Sequence, residues 1–196
     1  MPDAKSILNL GLGKIAASRI VSMDPPRSPI EKHCAQGYAQ WRDLELAKRD
    51  WMFAYVSGYP LTSEGPPLTS PSDGRAWRFA LPGDFIRPLR AKTTEWERRG
   101  GYLYSASSAL EVDYIARVSE SQFDNTFIEV LACRIALECV EFATQSNTKA
   151  QALQVAYDDA VKIAGRLNAY ITGPQDVVLH DTHSEWLSAR LGYWNG

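Results

Sequence analysis

The chain is poor in the side chains that carry most protein chemistry. Its 196 residues hold three histidines and three cysteines, too few for a disulfide framework and an odd number for one. Cys133 and Cys139 lie in an apolar helical run, six residues apart and so on different faces, where thiols behave as small hydrophobes. A reducing compartment is expected. No apolar stretch approaches the roughly 18 residues that a membrane span needs, and the opening Met1-Pro2-Asp3-Ala4-Lys5-Ser6 has no basic region leading into a long apolar segment. The expectation is a soluble protein made in the cytoplasm, with no membrane partner. Charge of one sign is also missing: 21 Lys and Arg against 23 Asp and Glu leave a formal charge of −2, which argues against general binding of a phosphate backbone.

What is present is an ordinary globular composition, 45% apolar and 22% charged, enough for one domain with an arm. Apolar residues at helical spacing from Ala4 to Ile20, interrupted by Gly11 and Gly13, predict a short helix ending before Asp24-Pro25-Pro26. Ser28-Pro29-Ile30-Glu31 is a capping box with proline at the first helical position. The stripe Ile30, Cys34, Tyr38, Trp41, Leu44, Ala47, Trp51 and Ala54 then predicts a long helix. From Ser57 to Gly74, proline, glycine, serine and threonine predict a long mobile loop that includes Tyr59, Pro60, Pro66, Pro67 and Pro71. Alternation at Trp77, Phe79 and Leu81, the stretch Leu89 to Trp96, the turn at Arg99-Gly100-Gly101, the pair Tyr102 and Tyr104, and the run Leu110 to Val118 predict three or four antiparallel strands. Asp124 opens a helix apolar nearly all round, through Phe142 or Ala143, which must be central. A second amphipathic helix follows, with Leu153, Tyr157, Ala160, Val161, Ala164, Leu167 and Ile171 as its apolar stripe, and it stops at Gly173-Pro174. The expected fold is α+β, mainly α: an antiparallel helical bundle over residues 1–173, with a small antiparallel β-sheet inserted at about 75–118 and a C-terminal arm at 174–196.

Motifs of catalysis or ligand binding are weak. Gly11-Leu12-Gly13-Lys14 has Ile15 where a phosphate loop needs Ser or Thr, so Gly11 and Gly13 read as helix-packing glycines. His180-Asp181-Thr182-His183 is the one cluster of metal-ligand types, and nothing else supplies a second half. No metal, cofactor or catalytic residue is assigned. Glu95 and Glu97, interleaved with Arg90, Lys92, Arg98 and Arg99, read as a salt-bridged sheet edge. The arm is more informative, because Trp186, Leu187, Leu191, Tyr193 and Trp194 crowd the last eleven residues, and such side chains anchor interfaces when they fill a partner's pocket.

A set of ordered residues resembles a known family. Leu8-Asn9 with Leu12-Gly13; Tyr38, Arg42-Asp43 and Trp51-x-Phe53-Ala54; Leu61; Trp77 to Leu81-Pro82-x-Asp84 with Arg87; Tyr104 and Leu110; then Tyr114, Arg117, Phe123-Asp124 and Phe127 are similar, in order and spacing, to the podovirus tail tubular protein A, the head-to-tail adaptor or head-completion family. The resemblance covers roughly residues 4 to 170, and the chain departs from it in the lengthened loop from Ser57 to Gly74 and in the arm after Pro174.

The resemblance implies a structural virion protein with no enzymatic activity and no cofactor, made in the bacterial host cytoplasm and located in the neck of the virion. It implies a homo-oligomeric ring, a dodecamer in this family, that docks under the portal protein, extends the DNA channel, lets DNA pass without specific contact and offers a surface to the tail or nozzle protein. The arm residues Trp186, Leu187, Leu191, Tyr193 and Trp194 are then the expected portal contacts. The alternatives are a non-viral helical adaptor that binds one protein, and a small hydrolase that uses His180 and His183.

Overall fold

A computed structural model of the chain describes residues 2–65, 67–68, 73–91, 96–144 and 147–172. Helices α1 (Ala4–Lys14), α2 (Pro29–Lys48), α3 (Asn125–Thr144) and α4 (Asn147–Thr172) enclose six strands in sequence: β1 (Tyr55–Leu61), β2 (Trp77–Ala80), β3 (Phe85–Ala91), β4 (Trp96–Arg99), β5 (Tyr102–Ser105) and β6 (Leu110–Ala116). The α+β, mainly helical architecture is as expected. Two antiparallel sheets replace the single one, in the orders β1-β6-β3 and β2-β5-β4.

The elements form layers. Helix α3 carries no wet face over most of its length, and Phe127, Val130, Leu131, Ile135 and Cys139 are all buried among α1, α2 and α4. At Gly11 of α1 a Cβ would lie 2.6 Å from Ile135 Cγ2 and 2.8 Å from the carbonyl oxygen of Ala132, so glycine there sets the close approach of α1 to α3. Strand β6 is buried on both faces: Ile115 turns to the helical core, while Val112, Tyr114 and Ala116 join Leu61, Phe79 and Leu103 in a second core between the two sheets. The order is therefore helices, first sheet, second sheet.

Strand β1 corrects the sequence reading, which placed Tyr59 and Pro60 in a mobile loop. Both sit in the strand, Tyr59 opposite Val112 and Pro60 opposite Glu111. Proline is tolerated because β1 is an edge strand, as is β3 with Pro88. Gly58, at φ +60°, lies in the register shift between Val56 and Tyr59. Buried Asp113 on β6 fills that irregularity, accepting hydrogen bonds from the Gly58 amide (2.7 Å) and the hydroxyls of Tyr55 (2.9 Å) and Ser57 (3.3 Å). The chain beyond is tied to β2 by the Glu64 N–H on the Arg78 carbonyl and the Leu68 N–H on the Ala76 carbonyl.

Two helix ends also differ from expectation. The Ser28 and Glu31 capping box forms as its spacing requires, but α2 stops at Lys48, and Trp51-x-Phe53-Ala54 belongs to the connection and 3-10 turn after it. Helix α1 ends at Lys14, because the amides of Ala16 and Ala17 bond back to the carbonyls of Gly13 (3.1 Å) and Leu12 (3.0 Å) with Ala16 at φ +56°. This is a Schellman closure with alanine where glycine is usual, so no glycine marks the stop. Ala16 is exposed, and its Cβ brings strain without packing. Ala16→Gly is expected to stabilise the chain by about 0.5–1 kcal/mol, read from the denaturant midpoint; a loss of stability would contradict the strain.

Candidate functional site

Part of the ordered residue set meets where helices and sheets join, while Leu8 and Leu12 lie in the helical core and Leu61 and Leu110 in the core between the sheets. Trp51 and Phe53 precede β1, and Phe123 and Phe127 follow β6. Their rings pack with Phe127 at the centre, 4.9 Å from Trp51, 5.1 Å from Phe53 and 4.8 Å from Phe123. A polar line runs beside them. Arg117 donates from Nε (3.0 Å) and Nη2 (2.7 Å) to Asp43 Oδ2, Arg42 Nε donates to Asp43 Oδ1 (3.0 Å), and Arg42 Nη1 and the Tyr38 hydroxyl both donate to Glu120 Oε1 (3.2 and 3.3 Å). The Asp43 hydrogen bond holds the Arg117 guanidinium above its ordinary value. Asp84 accepts the Tyr114 hydroxyl (3.2 Å) through its side chain and the Arg117 amide (2.6 Å) through its carbonyl. Burial, then the Asp84 charge, pushes the Tyr114 phenol up to about 12.

The buried carboxylates are committed to structure as well. Glu45 accepts the Lys48 ammonium (2.6 Å) and the Tyr157 hydroxyl (3.0 Å), joining α2 to α4. The sequence stripe had given this place to Leu44. Glu45 is buried and Leu44 is exposed, because the helix continues its inward ridge from Trp41 by four residues and not three. On the outer face of the second sheet, Arg75, Arg78 and Arg99 are engaged with Asp73, Glu97 and Glu64, while Arg78 and Arg99 lie over the rings of Tyr102 (4.8 Å) and Tyr104 (5.2 Å). The salt-bridged edge expected around Glu97 is present, and these guanidinium groups are matched by carboxylates.

Cysteine pairing was not legible from spacing within one helix. Cys133 faces Glu129, whereas Cys139 meets Cys34 of α2 with the sulfurs 3.8 Å apart, both buried and reduced. The shared hydrogen bond lowers the Cys34 thiol and raises that of Cys139. Neighbouring His33 points elsewhere, stacked on Phe142 at 5.3 Å. No group of three or more His, Cys, Asp or Glu suited to a metal occurs among the described residues, and no described helix is long and apolar enough to cross a membrane.

The arm anchors Trp186, Leu187, Leu191, Tyr193 and Trp194 lie outside the described residues, as do His180, His183, Pro66, Pro71 and Glu95. Pro67 is exposed beyond β1. The surface that sequence reasoning missed is on α4. Leu167 and Ile171, assigned to its buried stripe, are exposed together with Val155, Ile163 and Tyr170; Leu153, Tyr157 and Ala164 are the residues that face α2 and α3. Near the end of α4, Leu167, Tyr170 and Ile171 line a shallow cavity of about 370 Å³ with Asp124, Asn125 and Thr126 at the start of α3.

Glu31 has the most fully satisfied carboxylate in this set. It accepts the amides of Val21 (2.8 Å), Ser22 (3.3 Å), Arg27 (2.5 Å) and Ser28 (3.0 Å), so one side chain fixes the connection between α1 and α2. The Val21 and then the Arg27 hydrogen bonds outweigh burial and hold it below its ordinary value of 4.5. Unfolding returns the group to that value, so its contribution is complete above it and is lost as pH falls through the lower folded value. Glu31→Gln turns an amide donor towards backbone donors. The variant is expected to be less stable than the parent near neutrality, with the gap closing as pH drops below 4.5; denaturant midpoints across that range check it, and a gap indifferent to pH would contradict it. No protein-family model matches the chain, and no curated protein does.

Proposed function

We propose that this chain is a structural virion protein, a head-to-tail adaptor whose copies form a ring beneath the portal, extend the DNA channel and present a surface to the tail or nozzle protein. The observation that carries the reading is the ordered set of residues resembling the tail tubular protein A family. Its support is that these residues do joint work in the fold. Tyr38, Arg42, Asp43 and Arg117 form the polar line, Asp84 and Tyr114 continue it, and Trp51, Phe53, Phe123 and Phe127 form the aromatic joint.

Surface chemistry supports the same reading. A channel that DNA slides through must not hold phosphates, and the arginines of the second sheet are engaged by carboxylates in a chain of net charge −2. Trp186, Leu187, Leu191, Tyr193 and Trp194 are assigned as portal anchors, side chains of the kind that fill a partner's pocket. The function assigns no catalytic step, metal or cofactor, and its place is the neck of the virion.

Native mass spectrometry of the chain mixed with the portal protein of the same genome tests this. A full ring of copies added to the portal ring is the expected result, and Trp186→Ala with Trp194→Ala is expected to weaken the addition at least tenfold, as about 1.4 kcal/mol of anchor energy requires. A chain that stays unbound beside the portal would overturn the adaptor reading.

A further inference from the structure

The outer face of α4 is open over much of a 26-residue helix. Along it Ala152, Ala156, Asp159, Ile163, Arg166 and Tyr170 follow one another at alternating steps of four and three, with Leu167 beside them, and all are exposed. That spacing keeps a straight stripe on a helix and suits a helical partner. Tyr170 is 82% exposed, Ile163 54% and Leu167 44%, an apolar patch that a water-exposed helix does not otherwise keep.

We propose that this face is the contact between two copies of this chain, their α4 helices crossing antiparallel about a two-fold axis near Ile163. The stripe is its own complement under that operation. Reversal about Ile163 sets Ala156 of one copy against Tyr170 of the other, a small residue against a large one. Charge follows the same rule. Asp159 lies about one turn before Ile163 and Arg166 about one turn after it, so reversal brings Asp159 of one copy to Arg166 of the other, twice per pair. Parallel helices would instead set Asp159 against Asp159. Within its own helix Asp159 accepts only an exposed contact from Lys162 at 3.3 Å, which is weak enough to be exchanged. Size and charge complementarity across a two-fold axis is what an isologous contact needs, and an unrelated partner would require neither. The pairing belongs to the chain before any larger assembly forms and rests on no part of the adaptor reading.

The test uses the full chain, alone, by sedimentation and native mass spectrometry across micromolar to sub-millimolar concentration. A concentration-dependent dimer is expected, and Ile163→Arg, at an exposed site, is expected to leave a folded monomer by circular dichroism. Asp159→Arg and Arg166→Asp are each expected to weaken self-association about tenfold. When the two single variants are mixed, a heterodimer should form in preference to either homodimer, because both of its cross-contacts are again opposite in sign. A chain that is monomeric throughout, or a dimer indifferent to these changes, would overturn the proposal. So would hydrogen-exchange protection of residues 155–171 that does not vary with concentration, which would assign the face to residues 173–196 of the same chain.

Discussion

Contact among Trp51, Phe53, Phe123 and Phe127 is the constraint on which the arrangement depends. The chain leaves the helical layer after Trp51 and returns to it at Phe123, so everything between is an excursion whose two ends meet on one set of rings. Such edge-to-face pairs add roughly 0.5–1.5 kcal/mol each beyond the burial of their area, and here they also fix direction. The Trp51 indole donates to the Glu45 carbonyl at 2.9 Å, which ties the joint to the last turn of α2. Because Phe127 lies in the first turn of α3, the central helix and the sheets share one anchor.

Around that anchor, buried carboxylates take the part that glycines and prolines play in simpler connections. Glu31 holds the chain between α1 and α2, Asp113 holds the irregular edge strand, and Glu45 joins α2 to α4. Each is a charge withdrawn from water and matched by several donors, the condition under which burial of a carboxylate is tolerated. These buried polar groups serve the fold.

Much of the helical layer was legible because its signals are local. Ser28, Pro29 and Glu31 mark the start of α2, and the all-round apolar run after Asp124 marks a helix with no wet side. The rest depended on partners distant in sequence. Pro60 and Gly58 mark a loop by every local rule, and become a strand only because β6 offers an edge and Asp113 fills the irregularity. Ala16 ends a helix without the usual glycine, and Glu45 replaces Leu44 in the core only because Lys48 and Tyr157 meet it. Cys34 and Cys139 come together across two helices, which no spacing within one helix announces. Of the ordered residue set, Trp51, Phe53, Phe123 and Phe127 meet at the joint, while the arm from 174 to 196 lies outside the described residues. The apolar stripe expected on α4 holds from Leu153 to Ala164, and only its last members, Leu167 and Ile171, are exposed.

The helical layer and the sheets stand as one unit through the aromatic joint. Native-state hydrogen exchange on Phe123→Leu, which removes ring contacts at the return point and keeps the site apolar, tests it most directly. Amides of β6 and α3 are expected to lose protection by the same free energy, as members of one cooperative unit do. Loss confined to β6, with α3 unchanged, would show that the sheets are held independently and would contradict it.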